Sequence, residues 1–310
     1  MTAAPPGRRP VGVLVNPSAG LGRGARDVAR VQAVLRDAGL DVTEIAAPSA
    51  TEAGAACAEA VGDGLAALVA VGGDGTVNLA VQAVAGTATP LGIVPCGTGN
   101  DLAASLGVPA DPADAAAEVA RRLLAGEGVA VDAVRTTTDD GGFRGWWACV
   151  LASGFDSAVN ERANRMRWPR GPRRYDVAIL AELARLRPHA YRVTLDGRTL
   201  EVPAVMVAVG NTDSYGGGLR ICPTADPTDG LLDVTVVGPV GRTDVVRLRP
   251  RLYAGTHVED PRVETYRAAR VRLEAAGVSA YADGEPLAPL PVVVTCVPGA
   301  LTVLAPGRRG

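Results

Sequence analysis

Residues 11–15 form a short, wholly apolar run that stops at the turn formers Asn16, Pro17, Ser18, Ala19 and Gly20, which predicts a buried strand feeding a loop. Residues 23–38 set Ala25, Val28, Ala29, Val31, Ala33, Val34 and Leu35 among arginines and end before Gly39, the spacing of an amphipathic helix with a glycine stop. The alternation recurs. It predicts strands over 41–46, 65–71, 91–94 and 129–134, and helices over 51–61, 76–85, 100–106 and 113–124. Strands and helices alternating over short connections imply an open parallel sheet with helices on its faces.

Beyond residue 134 the rhythm changes. Pro, Gly and Thr become frequent, and the apolar runs at 146–153, 191–195, 204–209, 231–237, 271–273, 292–297 and 301–304 are short and β-like. One strongly helical stretch, 156–186, interrupts them and carries an arginine cluster. The expected fold is therefore α/β plus all-β: an N-terminal open parallel-sheet nucleotide-binding domain over 10–134, and a C-terminal β-sandwich-like domain with a helical insertion over 135–296. The last segment, 297–310, is expected to return to the first domain.

Length and composition agree with two domains and narrow the chemistry. At 310 residues, 47% hydrophobic but only 4% aromatic, the core must be filled by Val, Leu, Ala and Ile, as suits parallel layers. A net charge of −2 and a pI near 5.8 argue against nucleic acid as a partner. All 31 basic residues are arginine, which excludes a catalytic lysine, a Schiff base and a Walker-type phosphate lysine. The five cysteines, Cys57, Cys96, Cys149, Cys222 and Cys296, form no C-x-x-C pair and read as reduced thiols of a cytosolic protein. His189 and His257 have no companion at ligand spacing, which argues against a zinc site or a histidine triad. Residues 1–10 lack the layout of a signal peptide, and no run of about 18 apolar residues follows, so any membrane is visited at its surface.

Two motifs stand at strand-to-helix junctions. Gly72, Gly73, Asp74, Gly75 and Thr76 allow a tight backbone turn whose amides, with a helix N-terminus behind, suit a phosphate; a plain capped turn reads the sequence equally well. Gly97, Thr98, Gly99, Asn100 and Asp101 repeat the arrangement after the next strand. Loops at the carboxyl ends of adjacent parallel strands line one crevice, so these two turns and the Asn16–Gly20 loop are expected to converge.

In order and spacing, these three motifs resemble the catalytic domain of the diacylglycerol kinase family, which includes sphingosine and ceramide kinases. The likeness continues through residues 216–223 and 226–233 to Asp283-Gly284-Glu285. The resemblance implies an ATP-dependent lipid kinase that phosphorylates a hydroxyl of diacylglycerol or a related lipid. It implies Glu285 as general base within a catalytic motif that includes Asp283, and nucleotide contacts from residues 16–20, 72–76, Asn78, Thr98, Asn100 and Asp101. It also implies Mg²⁺ held by the Asp229 carboxylate, assisted by backbone oxygens near Asp226 and Leu231, with Asp74, Asp101 and Asp132 as further acidic positions. Without the resemblance, Asp283-Gly284-Glu285 is an ordinary hairpin turn and the three aspartates of 226–233 are solvated. The resemblance favours a homodimer, cytoplasmic and peripherally membrane-associated. The arginines of 161–175, with Trp168 and Tyr175, suit transient contact with anionic headgroups or serve as a solvated face.

The chain departs from the family pattern at several points. Leu79 stands where Glu is common and Leu102 where Phe is usual, the first loop lacks the commoner Ser before its glycine, and the family's nucleotide-contacting Thr has no single match among Ala47, Ser49 and Thr51. Two other functions share parts of the pattern. An NAD kinase also resembles Gly-Gly-Asp-Gly-Thr but not residues 97–101 or 283–285, and a non-catalytic lipid- or nucleotide-binding module would tolerate Leu79.

Overall fold

The computed structural model describes residues 10–15, 23–166, 168 and 173–307. The chain divides into two compact units, Met1–Ala133 with Pro298–Gly310, and Val134–Val297. The first unit alternates strand and helix: β1 (Pro10–Val15), α1 (Arg23–Asp37), β2 (Asp41–Ile45), α2 (Ala50–Gly62), β3 (Ala67–Gly72), α3 (Asp74–Val84), β4 (Leu91–Pro95), α4 (Asp101–Ser105), α5 (Pro112–Ala125) and β5 (Val129–Thr137). Its strands run in the order β2-β1-β3-β4, all parallel. The apolar runs of β1, β3 and β4 are buried along almost their whole length, as a sheet covered on both faces requires. Val13, Val69 and Val94 cluster in one core with Val31 and Leu35 of α1 and Val119 and Leu123 of α5. Local signals set the helix ends. Asp111 accepts the Ala113 and Asp114 amides at 2.9 and 3.2 Å ahead of Pro112, and Gly126 closes α5 at φ 70°.

The second unit holds β6 (Phe143–Trp147), β7 (Val150–Gly154), α6 (Phe155–Arg165), α7 (Arg173–Leu183), β8 (His189–Leu195), β9 (Arg198–Ala204), β10 (Met206–Gly210), β11 (Leu232–Val237), α8 (Arg242–Ala254), β12 (Val263–Ala268), β13 (Arg270–Glu274), β14 (Ser279–Ala282), β15 (Glu285–Pro289) and β16 (Val292–Val303). One layer is the sheet β12-β11-β10-β7-β14-β15; the other runs β16-β13-β8-β9, with β5 pairing β16 and β6. Trp147, Tyr191, Val193, Val207, Val234, Leu273 and Val294 form the sandwich core between them. The Trp147 indole N–H donates to Thr136 Oγ1 at 2.9 Å, so its one polar atom is satisfied in that core. β5 and β16 carry the chain from one unit to the other.

The architecture is the expected one, and the elements differ in detail. The run 146–153 is two strands, because the Asp283 carboxylate takes the amides of residues 148–150. The helical stretch 156–186 is two helices, as Pro169 and Pro172 between them demand. The runs 292–297 and 301–304 fall in one strand, which ends at Val303. α8 is a third helix in this half, one that the pattern did not announce, since it contains Pro250 and only Leu248 is buried. β9, β12, β14 and β15 were also missed; β9 alternates polar residues and carries Pro203 at a sheet edge, where a missing amide is tolerated.

α6 opens with a buried acid. Asp156 Oδ2 has no exposed surface and, among the described residues, no hydrogen-bond partner, and burial pushes the group up to about 6, against a smaller opposing effect from the Tyr215 hydroxyl. A folded-state value above the ordinary 3.8 means that the charged form penalises the fold above about pH 6, and the penalty fades as pH falls toward 4. Asp156→Asn is expected to raise unfolding free energy by roughly 2–3 kcal/mol at pH 8 and by much less at pH 4.5, read from urea denaturation at both values.

Candidate active site

In the first unit the two glycine turns touch. β3 ends at Gly72, Gly73 is extended, and α3 begins at Asp74. A Cβ on Gly97 would lie 2.5 Å from the Gly73 Cα, so the turns meet backbone to backbone and only glycine permits the approach. Cys96 donates to the Gly72 carbonyl at 2.8 Å. Asp74 then bridges the motifs: its Oδ2 accepts the Asn100 amide at 2.9 Å and its Oδ1 the Asp101 amide at 2.7 Å. Asn100 is left-handed at φ 60°, and its side chain closes the second turn by accepting from Gly97 N at 3.0 Å and donating to Gly97 O at 2.9 Å. Both carboxylate oxygens of Asp74 are thus engaged in joining the turns.

The amides of residues 73–75 precede the first intrahelical bonds of α3, which Thr76 and Val77 make to Gly73 O. Thr98 is exposed and Asn78 half-buried; Thr76 is buried and packs against Gly72. Asp101 is buried, and Asp132 accepts the Gly299 amide at 2.8 Å, so Asp132 ties β5 to β16. Residues Asn16, Pro17, Ser18, Ala19 and Gly20 lie outside the described residues. Leu79, where Glu is common in the family, lies 3.8 Å from where a Cβ on Gly54 would stand, so it packs α3 against α2.

In the second unit Asp283 and Gly284 form a two-residue hairpin loop between β14 and β15, with φ of 51° and 82°. Positive φ at both positions is the turn that matches strand twist, and Asp-Gly is its preferred sequence. Asp283 Oδ2 accepts Ala148 N at 2.9 Å, and its Oδ1 accepts Cys149 N at 3.0 Å and Val150 N at 3.1 Å. A second Asp-Gly loop works the same way: Asp196 accepts Ala269 N at 3.1 Å and Arg270 N at 2.8 Å. Asp283 is therefore a positioning group that fixes the hairpin carrying Glu285. Glu285 itself is exposed, and among the described residues its side chain makes no hydrogen bond or ion pair. Tyr281, on the strand entering the loop, is pushed up by burial first and then by Glu161 and Glu285, with Arg165 opposing.

The metal candidates sit on the turn before β11. Asp226 Oδ1 accepts from the Thr228 amide at 3.0 Å and hydroxyl at 2.7 Å, and Asp229 Oδ1 accepts Leu231 N at 2.9 Å. Arg267 donates to Asp229 Oδ2 and, through Nε, to Asp233 Oδ2 at 3.1 Å. No three His, Cys, Asp or Glu side chains among the described residues are grouped to hold a metal ion. Since the guanidinium already caps the outward oxygen of Asp229, the set as placed does not fit Mg²⁺, which needs near-octahedral oxygens at about 2.0–2.1 Å.

The diacylglycerol kinase catalytic domain matches residues 10–136, and the YegS C-terminal NAD kinase beta sandwich-like domain matches residues 149–305. A diacylglycerol kinase of Mycobacterium tuberculosis is 46% identical over 302 residues, covering 97% of this chain and 96% of the relative. The chain belongs to the diacylglycerol kinase family. A relative from Stenotrophomonas maltophilia, named "probable lipid kinase YegS-like", is 32% identical over 80% of this chain and 82% of its own length. A diacylglycerol kinase of Bacillus anthracis shares the fold at TM-score 0.71 and 21% identity, over 96% of this chain and 97% of that one. An NAD kinase of Archaeoglobus fulgidus, solved in complex with ATP, shares it at TM-score 0.55 and 13% identity, over 93% and 90%. The chain is thus a lipid kinase by family, and ATP use goes with the family. Among the described residues no helix is long and apolar enough to cross a membrane.

Sequence reasoning anticipated both glycine turns and named Asp74 and Asn100, which lock them, but missed groups that hold the turns of the second unit. Arg267 had no motif to flag it, and the strand edge at Ala148–Val150 is visible only once Asp283 is seen against it. Asp74 had been counted among the acidic positions without its role as a bridge. Asp74→Ala leaves the Asn100 and Asp101 amides without their acceptor, at a cost of about 1–3 kcal/mol. It is expected to lower the urea midpoint and to raise KM for ATP, whereas unchanged nucleotide affinity would show that the turns hold their shape without the bridge.

Proposed function

We propose that this kinase transfers the γ-phosphate of ATP to a hydroxyl of diacylglycerol or a related lipid, with Glu285 as general base. The observation that carries the reading is the near-full-length, 46% identity to a diacylglycerol kinase. The geometry supports the assignment of the base. Glu285 is exposed, unpaired among the described residues, and mounted on a loop whose neighbour Asp283 makes three backbone hydrogen bonds. A carboxylate held in place without a counter-ion is free to accept a proton.

In the proposed reaction the lipid oxygen attacks the γ-phosphorus while its proton passes to Glu285, and the bond from the γ-phosphorus to the bridging oxygen breaks to release ADP. The amides of residues 73–75, with Thr98, are assigned to the phosphates, and Asn78 and the Asn16–Gly20 loop to the rest of the nucleotide. Mg²⁺ accompanying the nucleotide would supply neutralisation of the charge that develops on the phosphates. The lipid is met at a membrane surface through the α6–α7 region, where Trp168 is 83% exposed and Val177 and Leu180 are exposed on α7. Arg167 and Arg170, which belong to the same cluster, lie outside the described residues.

The test is labelled ATP with a panel of lipid alcohols and with NAD, using wild type and Glu285→Gln. Label is expected in a lipid, and the variant is expected to lose about 10²–10⁴-fold in kcat with little change in KM for ATP. Label in NADP would favour an NAD kinase. Nucleotide and vesicle binding with no Glu285-dependent transfer would favour a binding module.

A further inference from the structure

Arg267 and Asp233 stand directly opposite each other on the antiparallel pair β11 and β12. Cross-strand partners of opposite charge attract, and here one partner is almost sealed from water, since Asp233 is 5% exposed. A carboxylate in that position must be neutralised or fully hydrogen-bonded. Thr224 donates its hydroxyl to Asp233 Oδ1, and Arg267 Nε donates to Oδ2 at 3.1 Å. The same guanidinium reaches past the strand end to Asp229 Oδ2. Asp229, in turn, fixes the turn by accepting Leu231 N at 2.9 Å on its other oxygen. One planar cation therefore links the turn, the start of β11 and the neighbouring strand β12, and arginine's fork makes two such bonds at once where lysine offers a single point charge.

This is the segment where the family resemblance implies Mg²⁺. We infer that Arg267 is the permanent cation of this acidic turn, and that it holds residues 226–233 in shape without a divalent ion. A dication on Asp229 would have to displace the guanidinium from Asp229 Oδ2, leaving Asp233 with a weaker counter-ion in a nearly dry position. The inference goes beyond the phosphoryl-transfer reading, and its test uses neither nucleotide nor lipid, so the two fail separately.

The experiment is thermal unfolding of the full chain in excess EDTA and in millimolar MgCl₂, for wild type, Arg267→Gln and Arg267→Lys. Wild type is expected to melt at the same temperature in both. Arg267→Gln is expected to melt roughly 2–4 °C lower in EDTA, with MgCl₂ recovering part of the loss, and Arg267→Lys to lie between. Recovery by Mg²⁺ separates a missing cation from lost packing. A wild-type midpoint that rises with MgCl₂, in a manner abolished by Asp229→Asn, would overturn the inference. So would an Arg267→Gln midpoint equal to wild type, or one that MgCl₂ leaves unchanged. Should Arg267→Gln fail to fold, the wild-type and Arg267→Lys curves decide: Arg267→Lys must melt lower than wild type in EDTA and gain from MgCl₂.

Discussion

Aspartate carboxylates that accept backbone amides from a neighbouring segment hold this molecule's exposed turns where the core cannot. Asp74 takes the amides of Asn100 and Asp101, Asp196 those of Ala269 and Arg270, and Asp283 those of Ala148, Cys149 and Val150. A carboxylate bound to amides is a charge-assisted acceptor, stronger and more directional than a neutral one. Turns at strand ends bury little apolar surface, so such bonds replace packing as the source of their order. In the second unit the consequence reaches the sheet itself, because the amides given to Asp283 fall between β6 and β7, where the strand breaks.

What the sequence made legible follows from how far each signal travels. The parallel sheet of the first unit was readable because buried strands are uniformly apolar and the helices between them amphipathic, signals carried within about ten residues. The glycine motifs were readable for the same reason. The break at Ala148–Cys149 was not, since its cause lies at Asp283, far along the chain. The Asp233–Arg267 pair depends on a strand register that no local pattern encodes, and α8 was hidden by Pro250 and by having Leu248 as its only buried residue. Asp226, Asp229 and Asp233 illustrate the limit: their composition suits a cation, and only the fold shows that Arg267 is near enough to be one.

Leu79 bears on whether the first unit retains its function. Where the family commonly has a carboxylate on this helix, the chain has a side chain packed toward Gly54 of α2. The exchange adds apolar contact between α2 and α3 and removes one negative charge from α3. It leaves untouched the Gly73–Gly97 contact and the Asp74 bridge, which set the shape of the turns. The alternative of an inactive binding module therefore gains nothing from damaged geometry; it would have to rest on electrostatics alone.

The likeness to an NAD kinase, at 13% identity, is a likeness of fold and carries no choice of acceptor. A parallel nucleotide-binding layer can be paired with a β sandwich whose loops present different hydroxyls. In the second unit the chain mounts Glu285, unpaired among the described residues, on a pinned hairpin beside the buried Tyr281. An Asp-Gly-Glu turn in solution samples many orientations, whereas the three amides on Asp283 hold the backbone at Glu285 in one position, the preorganisation that the proposed base requires.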